Sequence, residues 1–295
     1  MSSFNTSQKT GKVIYLRDGR ALGYAEYGAP AGKPVFFFHG WPGSRLQRPP
    51  GDSIAFELGV RLITTDRPGY GLSDFKPGRR LLDWPDDVIE LADALGIERF
   101  AAIGLSGGGP HLLACAYRIP QRLMRAIVVS GLAPVHWQGS TQGMDRSGRV
   151  AVTLVKHAPE WLIGVALGLT VRKTAQDPEH AVKNIPASLP QADKDVFARP
   201  DMQAMDRADL VEAYRQGVRG VAREISILLR PWGFRLEDIR VPVNLWHGEE
   251  DTTVPLNMGK YIARTIPHCE ATFIAGQGHL MLFNYWREIL SQAVS

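Results

Sequence analysis

The residue of this sequence best suited to covalent chemistry is Ser106, the central residue of a Gly-Leu-Ser-Gly-Gly segment at positions 104–108. The segment fits the pattern G-x-S-x-G and joins an apolar run that predicts a strand to a stretch that predicts a helix. A turn this sharp holds its serine in a strained backbone conformation with the hydroxyl exposed, and glycines at 104 and 108 avoid collisions with neighbouring elements. The pattern therefore predicts a nucleophile elbow.

Two glycine-rich phosphate-binding patterns do not fit the same segment. The phosphate loop G-x-x-x-x-G-K-[ST] does not fit, because Pro110 and His111 follow Gly109. The dinucleotide pattern G-x-G-x-x-G requires a glycine where Ser106 stands. Both mismatches favour the nucleophile elbow.

A serine hydroxyl is a weak nucleophile and needs a base, which in turn needs an orienting carboxylate. Among the eight histidines, His279 is the candidate base, because it lies in a Gly-Gln-Gly-His-Leu loop directly after the last predicted strand. The carboxylate is expected after the preceding strand, where three consecutive acids end at Asp251. Asp251 has a shorter side chain than the two glutamates before it and stands just ahead of Val254-Pro255, where the next helix is expected to begin. Ser106, Asp251 and His279 are thus the predicted catalytic triad.

Such a mechanism also requires backbone N–H groups that stabilise the negative oxygen of the transition state. The N–H of Gly107, at the expected start of the helix, is one candidate. The second is the N–H of Trp41, in the His-Gly-Trp-Pro-Gly-Ser loop at positions 39–44, whereas Pro42 has no N–H to donate. Trp41 and Gly107 are the predicted oxyanion hole, and a plain Gly-Pro turn is the alternative interpretation of the loop.

The elements that must position these residues alternate between strand and helix from residue 34 to residue 131, which predicts a mostly parallel sheet with helices on both faces. Before them, Lys12–Arg17 and Ala21–Tyr27 predict a hairpin around Asp18-Gly19. The alternation stops between residues 134 and 235 and then resumes. The predicted strands are Pro34–Phe38, Arg61–Thr65, Arg99–Leu105, Met124–Ser130, Val241–Trp246 and Ala271–Ala275, and the predicted helices are Ser53–Leu58, Asp83–Leu95, Gly108–Tyr117, Leu256–Thr265 and Leu282–Ala293.

The interruption contains only helical patterns and predicts a cap domain of residues 134–235, inserted into a core made of residues 1–133 and 236–295. Sheets of this kind bind ligands at the carboxyl ends of their strands, where the insertion is expected to lie. A helical domain unrelated to any site is the alternative. The apolar residues of the predicted cap either line a pocket or form the cap's own core. These residues are Trp137, Trp161, Leu162, Ile163, Val165 and Leu167. The helices of the cap could also mediate a homodimer.

The composition is that of a globular protein with a sizeable core, with 295 residues, 44% hydrophobic and 22% charged. The net charge of +4 is spread along the chain, which argues against nucleic-acid binding. Apolar runs are far shorter than the roughly 20 residues that cross a bilayer, and the N-terminus lacks the apolar centre of a secretion signal. We therefore expect a cytoplasmic protein without stable membrane insertion. Cys115 and Cys269 are expected to be buried, reduced thiols.

Five motifs in this order resemble the α/β-hydrolase superfamily over essentially the whole chain. They are H-G-x-P-G (His39–Gly43), D-R-P-G-Y-G-x-S (Asp66–Ser73), the elbow (Gly104–Gly108), G-x-x-D-x-x-V-P (Gly248–Pro255) and G-x-G-H (Gly276–His279). The resemblance implies an α/β-hydrolase fold with a helical cap, as in esterases and lipases with a serine nucleophile. Haloalkane dehalogenases and epoxide hydrolases of this fold carry an aspartate at the position of Ser106, so both activities are excluded.

The sequence thus predicts a serine hydrolase that cleaves small-molecule carboxylic esters with small to medium apolar acyl groups, without a metal or organic cofactor. Amide or C–C bond hydrolysis, acyl transfer, lactone opening and perhydrolysis on the same triad are alternatives. Aminopeptidase activity would require acids near the site to hold a free amine, whereas the acids of the insertion are interspersed with basic residues. A small-molecule receptor of the same fold is a further alternative.

Overall fold

A computed structural model describes residues 10–137, 139–144, 146–176 and 189–295 of the chain. The predicted domain boundaries also include residues 1–9, 138, 145 and 177–188, which lie outside the described part. Among the described residues, no helix is both long enough and apolar enough to cross a membrane.

The centre of the molecule is one eight-stranded sheet with the order β1-β2-β4-β3-β5-β6-β7-β8. Strand β2 pairs antiparallel with β1 and β4, and the remaining neighbours are parallel. The strands are β1 (Lys12–Tyr15), β2 (Ala21–Gly28), β3 (Lys33–Phe38), β4 (Val60–Thr65), β5 (Phe100–Leu105), β6 (Leu123–Val129), β7 (Val243–Gly248) and β8 (Cys269–Ile274).

Helices pack against both faces of the sheet, and the part of the chain between β6 and β7 that the structure describes contains helices but no strand. The helices are α1 (Ser53–Glu57), α2 (Trp84–Ala94), α3 (Gly108–Arg118), α4 (Arg146–His157), α5 (Glu160–Gln176), α6 (Gln191–Phe197), α7 (Pro200–Ala213), α8 (Arg219–Leu228), α9 (Leu256–Thr265) and α10 (Trp286–Val294). We call residues 134–235 the helical insertion; its being a separate cap domain stays a prediction.

The two central strands are buried on both faces, as their continuous apolar runs predict. Every residue of β5 is buried, and its odd and even positions contribute to two different cores. On one face Phe100 packs against Phe36 of β3 with ring centroids 4.4 Å apart, and on the other Phe37 meets Trp286 of α10 edge to face. These cores fix the parallel strands so that their carboxyl ends form one edge, where the candidate site lies.

The structure confirms the predicted elements and shifts several of their boundaries. The last predicted helix, Leu282–Ala293, is a short 3-10 turn at Met281–Phe283 followed by α10. Cys115 is buried as predicted, but the prediction is wrong for Cys269, which is half-buried because it begins β8 at the edge of the sheet.

The apolar residues of the insertion divide in a way that neither interpretation anticipated. Ile163 is buried and Trp137 stacks on Tyr261 of α9 with ring centroids 4.5 Å apart. Trp161 is 70% exposed, and Leu162 and Val165 are also exposed, so these three residues do not belong to the insertion's own core. Leu167 is partly buried and packs against a small cluster that includes Tyr70.

Candidate active site

Ser106 stands at the carboxyl end of β5 with a φ of +50°, in the left-handed region that non-glycine residues rarely adopt. Its N–H donates to the Val129 carbonyl at 2.9 Å, and its own carbonyl accepts from the N–H of Gly109 at 2.9 Å. A Cβ on Gly108 would lie 2.1 Å from the Phe38 carbonyl oxygen, so only glycine fits where α3 crosses β3. The structure therefore shows the strained backbone conformation that was predicted at Ser106.

His279 and Asp251 meet at the same edge of the sheet, in the loops after β8 and β7. Nδ1 of His279 lies 2.8 Å from Oδ2 of Asp251. The other carboxylate oxygen accepts the N–H groups of Thr253 and Val254 at 2.9 and 2.8 Å, which fixes the carboxylate in place. Asp251 is buried, whereas the two competing acids, Glu249 and Glu250, are exposed, so the geometry favours Asp251 among the three.

The electrostatics of this pair favour the protonated form of the imidazole. Burial acts to lower the pKa of His279, but the charge of Asp251 and its hydrogen bond outweigh burial and raise that pKa above its ordinary value. Because Nδ1 faces Asp251, Nε2 is the nitrogen left for an external proton. The arrangement can therefore accept a proton at Nε2 and stabilise the resulting imidazolium.

The backbone of the His279 loop is held from the insertion by Asp193 of α6. Its two carboxylate oxygens accept the N–H groups of His279 and Leu280 at 2.9 and 2.8 Å. Gly278 makes room for this contact, since a Cβ there would lie 2.3 Å from Asp193 Oδ2. Burial raises the pKa of Asp193, against the opposing effect of the two N–H donors. The insertion thus positions the imidazole through the main chain.

The two predicted oxyanion donors, the N–H groups of Gly107 and Trp41, belong to neighbouring backbone segments. A Cβ on Gly107 would be 3.2 Å from the backbone nitrogen of Trp41, so the two backbone segments are in contact. The preceding N–H, of Gly40, donates instead to the side chain of Gln47 at 2.5 Å. The structure therefore brings together the two peptide units that were expected to form an oxyanion hole.

Arg67 binds the main chain of the loop that contains Trp41. Its guanidinium donates to the carbonyl oxygens of His39 and Gly40 at 2.6 and 2.8 Å. The Gly40 carbonyl and the Trp41 N–H belong to one planar peptide unit, so Arg67 fixes the direction of that N–H. Arg67 is itself paired at 2.5 Å with Glu224 of α8, and neither side chain has any exposed surface.

A second carboxylate of the insertion, Asp209 of α7, holds the other end of the loop. It accepts both the N–H and the hydroxyl of Ser44, at 2.7 and 2.6 Å, and the amide of Gln47 at 2.9 Å. Burial raises the pKa of Asp209 to about 8, against the opposing hydrogen bonds from Ser44. Gln47 in turn accepts the Gly40 N–H, so Asp209 and Arg67 together determine the loop's conformation.

A family model described as the alpha/beta hydrolase fold matches residues 33–284. The chain belongs to this family. Its α/β-hydrolase fold, which the sequence motifs predicted, is thereby confirmed.

Individual relatives of this α/β hydrolase are similar to it in sequence or structure over almost its whole length. It is 23% identical over 280 residues to a bifunctional esterase/perhydrolase of Acinetobacter calcoaceticus, and the aligned region covers 91% of this chain and 92% of that protein. A hydrolase of Pseudomonas aeruginosa PA01 superposes with a TM-score of 0.69 at 21% identity, covering 99% and 98% of the two chains. An esterase from a Rhodococcus species superposes with a TM-score of 0.67 at 23% identity, covering 96% of each chain.

Sequence reasoning missed the supporting residues of the α/β hydrolase site. Asp193, Asp209 and Glu224 lie in helices of the insertion and belong to none of the five motifs. Arg67 belongs to the D-R-P-G-Y-G-x-S motif, to which no role in the site was given, and its hydrogen bonds show that it holds the neighbouring loop. Ionisable residues in an otherwise amphipathic helix usually indicate a solvent-facing side, so no local signal identified these acids.

His247, which is not part of the predicted triad, also lies close to Asp251. Its Nε2 lies 3.6 Å from Oδ2 of Asp251, although its hydrogen bond goes to the Val254 carbonyl at 2.9 Å. Burial lowers the pKa of His247 and keeps the ring neutral. A neutral ring that donates to a main-chain carbonyl supports the Asp251 loop structurally.

Proposed function

We propose that this α/β hydrolase is a serine hydrolase that cleaves carboxylic esters of small to medium apolar acyl groups. The observation that carries the proposal is the strained, left-handed Ser106 at the same sheet edge as a His279–Asp251 pair 2.8 Å apart. Strain of this kind persists where the surrounding structure over-determines it, and nucleophile elbows are one such place.

In the proposed reaction, Ser106 Oγ attacks the ester carbonyl carbon while its proton passes to Nε2 of His279. The N–H groups of Trp41 and Gly107 donate to the resulting oxyanion, with Arg67 holding the Trp41 peptide in place. The C–O bond breaks, the imidazolium returns its proton to the departing alcohol, and an acyl-enzyme remains. Water then attacks that ester with His279 as base, which releases the carboxylic acid and regenerates Ser106.

The proposal is tested by labelling the protein with a fluorophosphonate probe and locating the adduct by mass spectrometry. We expect an adduct on Ser106 that is lost in Ser106→Ala and strongly slowed in His279→Ala. His268→Ala is the matched control, because His268 is exposed and lies at the amino end of β8, whereas the site lies at the carboxyl end. Labelling that is as fast in His279→Ala as in the parent protein would contradict an activated serine. A folded protein that is not labelled at Ser106 would contradict it as well.

The substrate class is tested with p-nitrophenyl esters of increasing chain length alongside amino-acid p-nitroanilides. We expect turnover of the short and medium esters and none of the anilides. Anilide turnover exceeding ester turnover would replace esterase by amidase activity. Ligand-induced stabilisation that persists in Ser106→Ala, with no turnover of any ester, would favour a receptor.

Perhydrolysis is the second candidate, and the name of the Acinetobacter calcoaceticus relative, an esterase/perhydrolase, is the observation that favours it. Here hydrogen peroxide replaces water in the attack on the acyl-enzyme, so the products are a peracid and free Ser106. With acetic acid as the acyl donor, Ser106 forms the acetyl-enzyme with loss of water, and hydrogen peroxide then releases peracetic acid. We expect peracid from acetate and hydrogen peroxide to require Ser106, and peracid formation that survives in Ser106→Ala would exclude this route.

A further inference from the structure

A cavity of about 140 Å³ lies where the chain ahead of α2 meets the end of α8, apart from the Ser106 site. Four arginines line it, together with Leu81, Ser226, Ile227 and Pro231, and no acidic side chain lines it among the residues that the structure describes. We call it the arginine cleft, defined by Arg79, Arg80, Arg223 and Arg230. Four guanidinium groups around one small space repel one another unless counter-charges are supplied.

The carboxylates near the cleft do not neutralise the positive charge of the four arginines. Glu224 bonds Arg79 at 2.6 Å but is shared with the buried Arg67. Glu160 binds Arg223 at 2.9 Å. The guanidinium of Arg80 is largely exposed and lies 3.7 Å from an Asp83 oxygen, too far for a hydrogen bond.

Arg230 is the least compensated of the four. Its guanidinium donates to the Ala158 carbonyl at 3.1 Å, and it has no carboxylate partner among the residues that the structure describes. The cleft therefore retains an excess of positive charge.

Arg79 adds an independent indication. Its side chain is only 2% exposed, yet its Nε and Nη1 atoms find no hydrogen-bond partner within the described part of the chain. Buried donors without partners are rare, and an ion or water that satisfies them is the usual explanation. A guanidinium fork with two free donors matches the oxygens of a phosphate or carboxylate.

We propose that the arginine cleft binds a small oxyanion of the phosphate type. The number of donors decides between the two anion chemistries. Four guanidinium groups offer more N–H donors than the two oxygens of a carboxylate can accept, whereas a phosphate presents up to four oxygens and a second negative charge. The phosphate can be free inorganic phosphate or the phosphate group of a larger molecule. The site does not depend on the proposed hydrolase activity.

The test is isothermal titration of the full chain with inorganic phosphate, phenyl phosphate and acetate, against sodium chloride at matched ionic strength in a phosphate-free buffer. We expect saturable binding of at least one of the phosphate compounds, and weaker binding of acetate. Binding of inorganic phosphate indicates the free ion as the ligand, and binding of phenyl phosphate alone indicates a phosphate ester. Acetate binding as tightly as either phosphate, or heats no different from sodium chloride, would overturn the proposal.

The matched variants use the exposed members of the cleft, so that folding is preserved. The double variant Arg80→Gln with Arg230→Gln is expected to weaken phosphate binding at least tenfold. Arg240→Gln, which removes an exposed arginine that does not line the cleft, should bind as the parent protein does. Equal affinity in the double variant, with circular dichroism unchanged, would place any phosphate elsewhere on the molecule.

Discussion

At the scale of single residues, the site depends on two polar groups whose neighbours set their behaviour: the imidazole of His279 and the guanidinium of Arg67. Asp251 biases the first towards its charged form, and Glu224 secures the second. Each leads to a measurable consequence for the proposed reaction.

The pH dependence of hydrolysis should report the raised pKa of His279. The base must be neutral to accept the Ser106 proton, so kcat/KM falls as pH drops through the pKa of His279, with a midpoint above the ordinary value of 6.5. Asp251→Asn removes the charge that raises this pKa and leaves burial, which lowers it. The midpoint should therefore move to lower pH, and kcat should fall by on the order of 10⁴.

The exposed Glu250→Gln is the control for that experiment and should leave the pH profile unchanged. A midpoint that is the same in Asp251→Asn and in the parent protein would mean that another group titrates.

Arg67 is expected to act as a positioning residue for the Trp41 peptide. Arg67→Lys keeps a positive charge beside Glu224 but cannot span the two carbonyls of His39 and Gly40. We expect kcat to fall about tenfold or more, yet by less than the roughly 10²–10³ that follows removal of an oxyanion donor. KM should change little, because ester and transition state share their other contacts.

The readout that separates positioning from simple support is affinity for a boronic acid, which mimics the tetrahedral intermediate. That affinity should fall in parallel with kcat in Arg67→Lys. Arg79→Lys is the matched control, since Arg79 also binds Glu224 but its guanidinium donates no hydrogen bond to the loop within the described part of the chain. Equal losses in both variants would reduce Arg67 to a general structural role.

At the scale of elements, the turn between β5 and α3 depends on how closely two backbones approach. Gly108 of α3 leaves no room for a methyl group against β3. A helix that begins so close to the sheet aims its first N–H groups, and the positive end of its dipole, at the region of Ser106.

Gly108→Ala is therefore expected to destabilise the protein by at least about 1–3 kcal/mol, because the overpacked contact is with main chain that cannot move aside. Gly164→Ala provides the comparison within α5, where a Cβ would lie 3.9 Å from Ala222. That substitution should stabilise the protein by about 0.5–1 kcal/mol through helix propensity. Urea denaturation of both variants measures the two effects, and equal stabilities would refute the packing explanation.

At the scale of the whole molecule, the helical insertion supplies carboxylates to three loops of the candidate site. Asp193 holds the His279 loop, Asp209 holds Ser44 and Gln47, and Glu224 holds Arg67. The insertion therefore shapes the site through its buried carboxyl groups, in addition to any covering role.

Asp193→Ala should reveal this long-range contribution. The substitution leaves the N–H groups of His279 and Leu280 without their acceptor and frees the loop, so we expect kcat/KM to fall and the free energy of unfolding to drop by about 1–3 kcal/mol. Asp195→Ala, on the exposed side of the same helix, is the control and should match the parent protein. Ester hydrolysis and urea denaturation are the measurements, and unchanged hydrolysis in Asp193→Ala would show that the loop holds itself.

The sequence by itself determined what depends on neighbours along the chain. The alternation of strands and helices, the elbow at Ser106 and the pairing of His279 with Asp251 all follow from short patterns. The geometry of the strand-to-helix turn and the use of the carboxyl edge of a parallel sheet are strongly constrained by local residue types and by the alternation of strands and helices, so these features could be predicted.

Only the tertiary structure decided which charges are buried and what they hold. Asp193, Asp209 and Glu224 are ordinary acids on short helices until those helices dock on the core. A buried carboxylate is stable only when donors from other elements surround it, and those donors lie tens to more than 150 residues away in the sequence. No local pattern encodes such partnerships, because they arise from packing between distant segments.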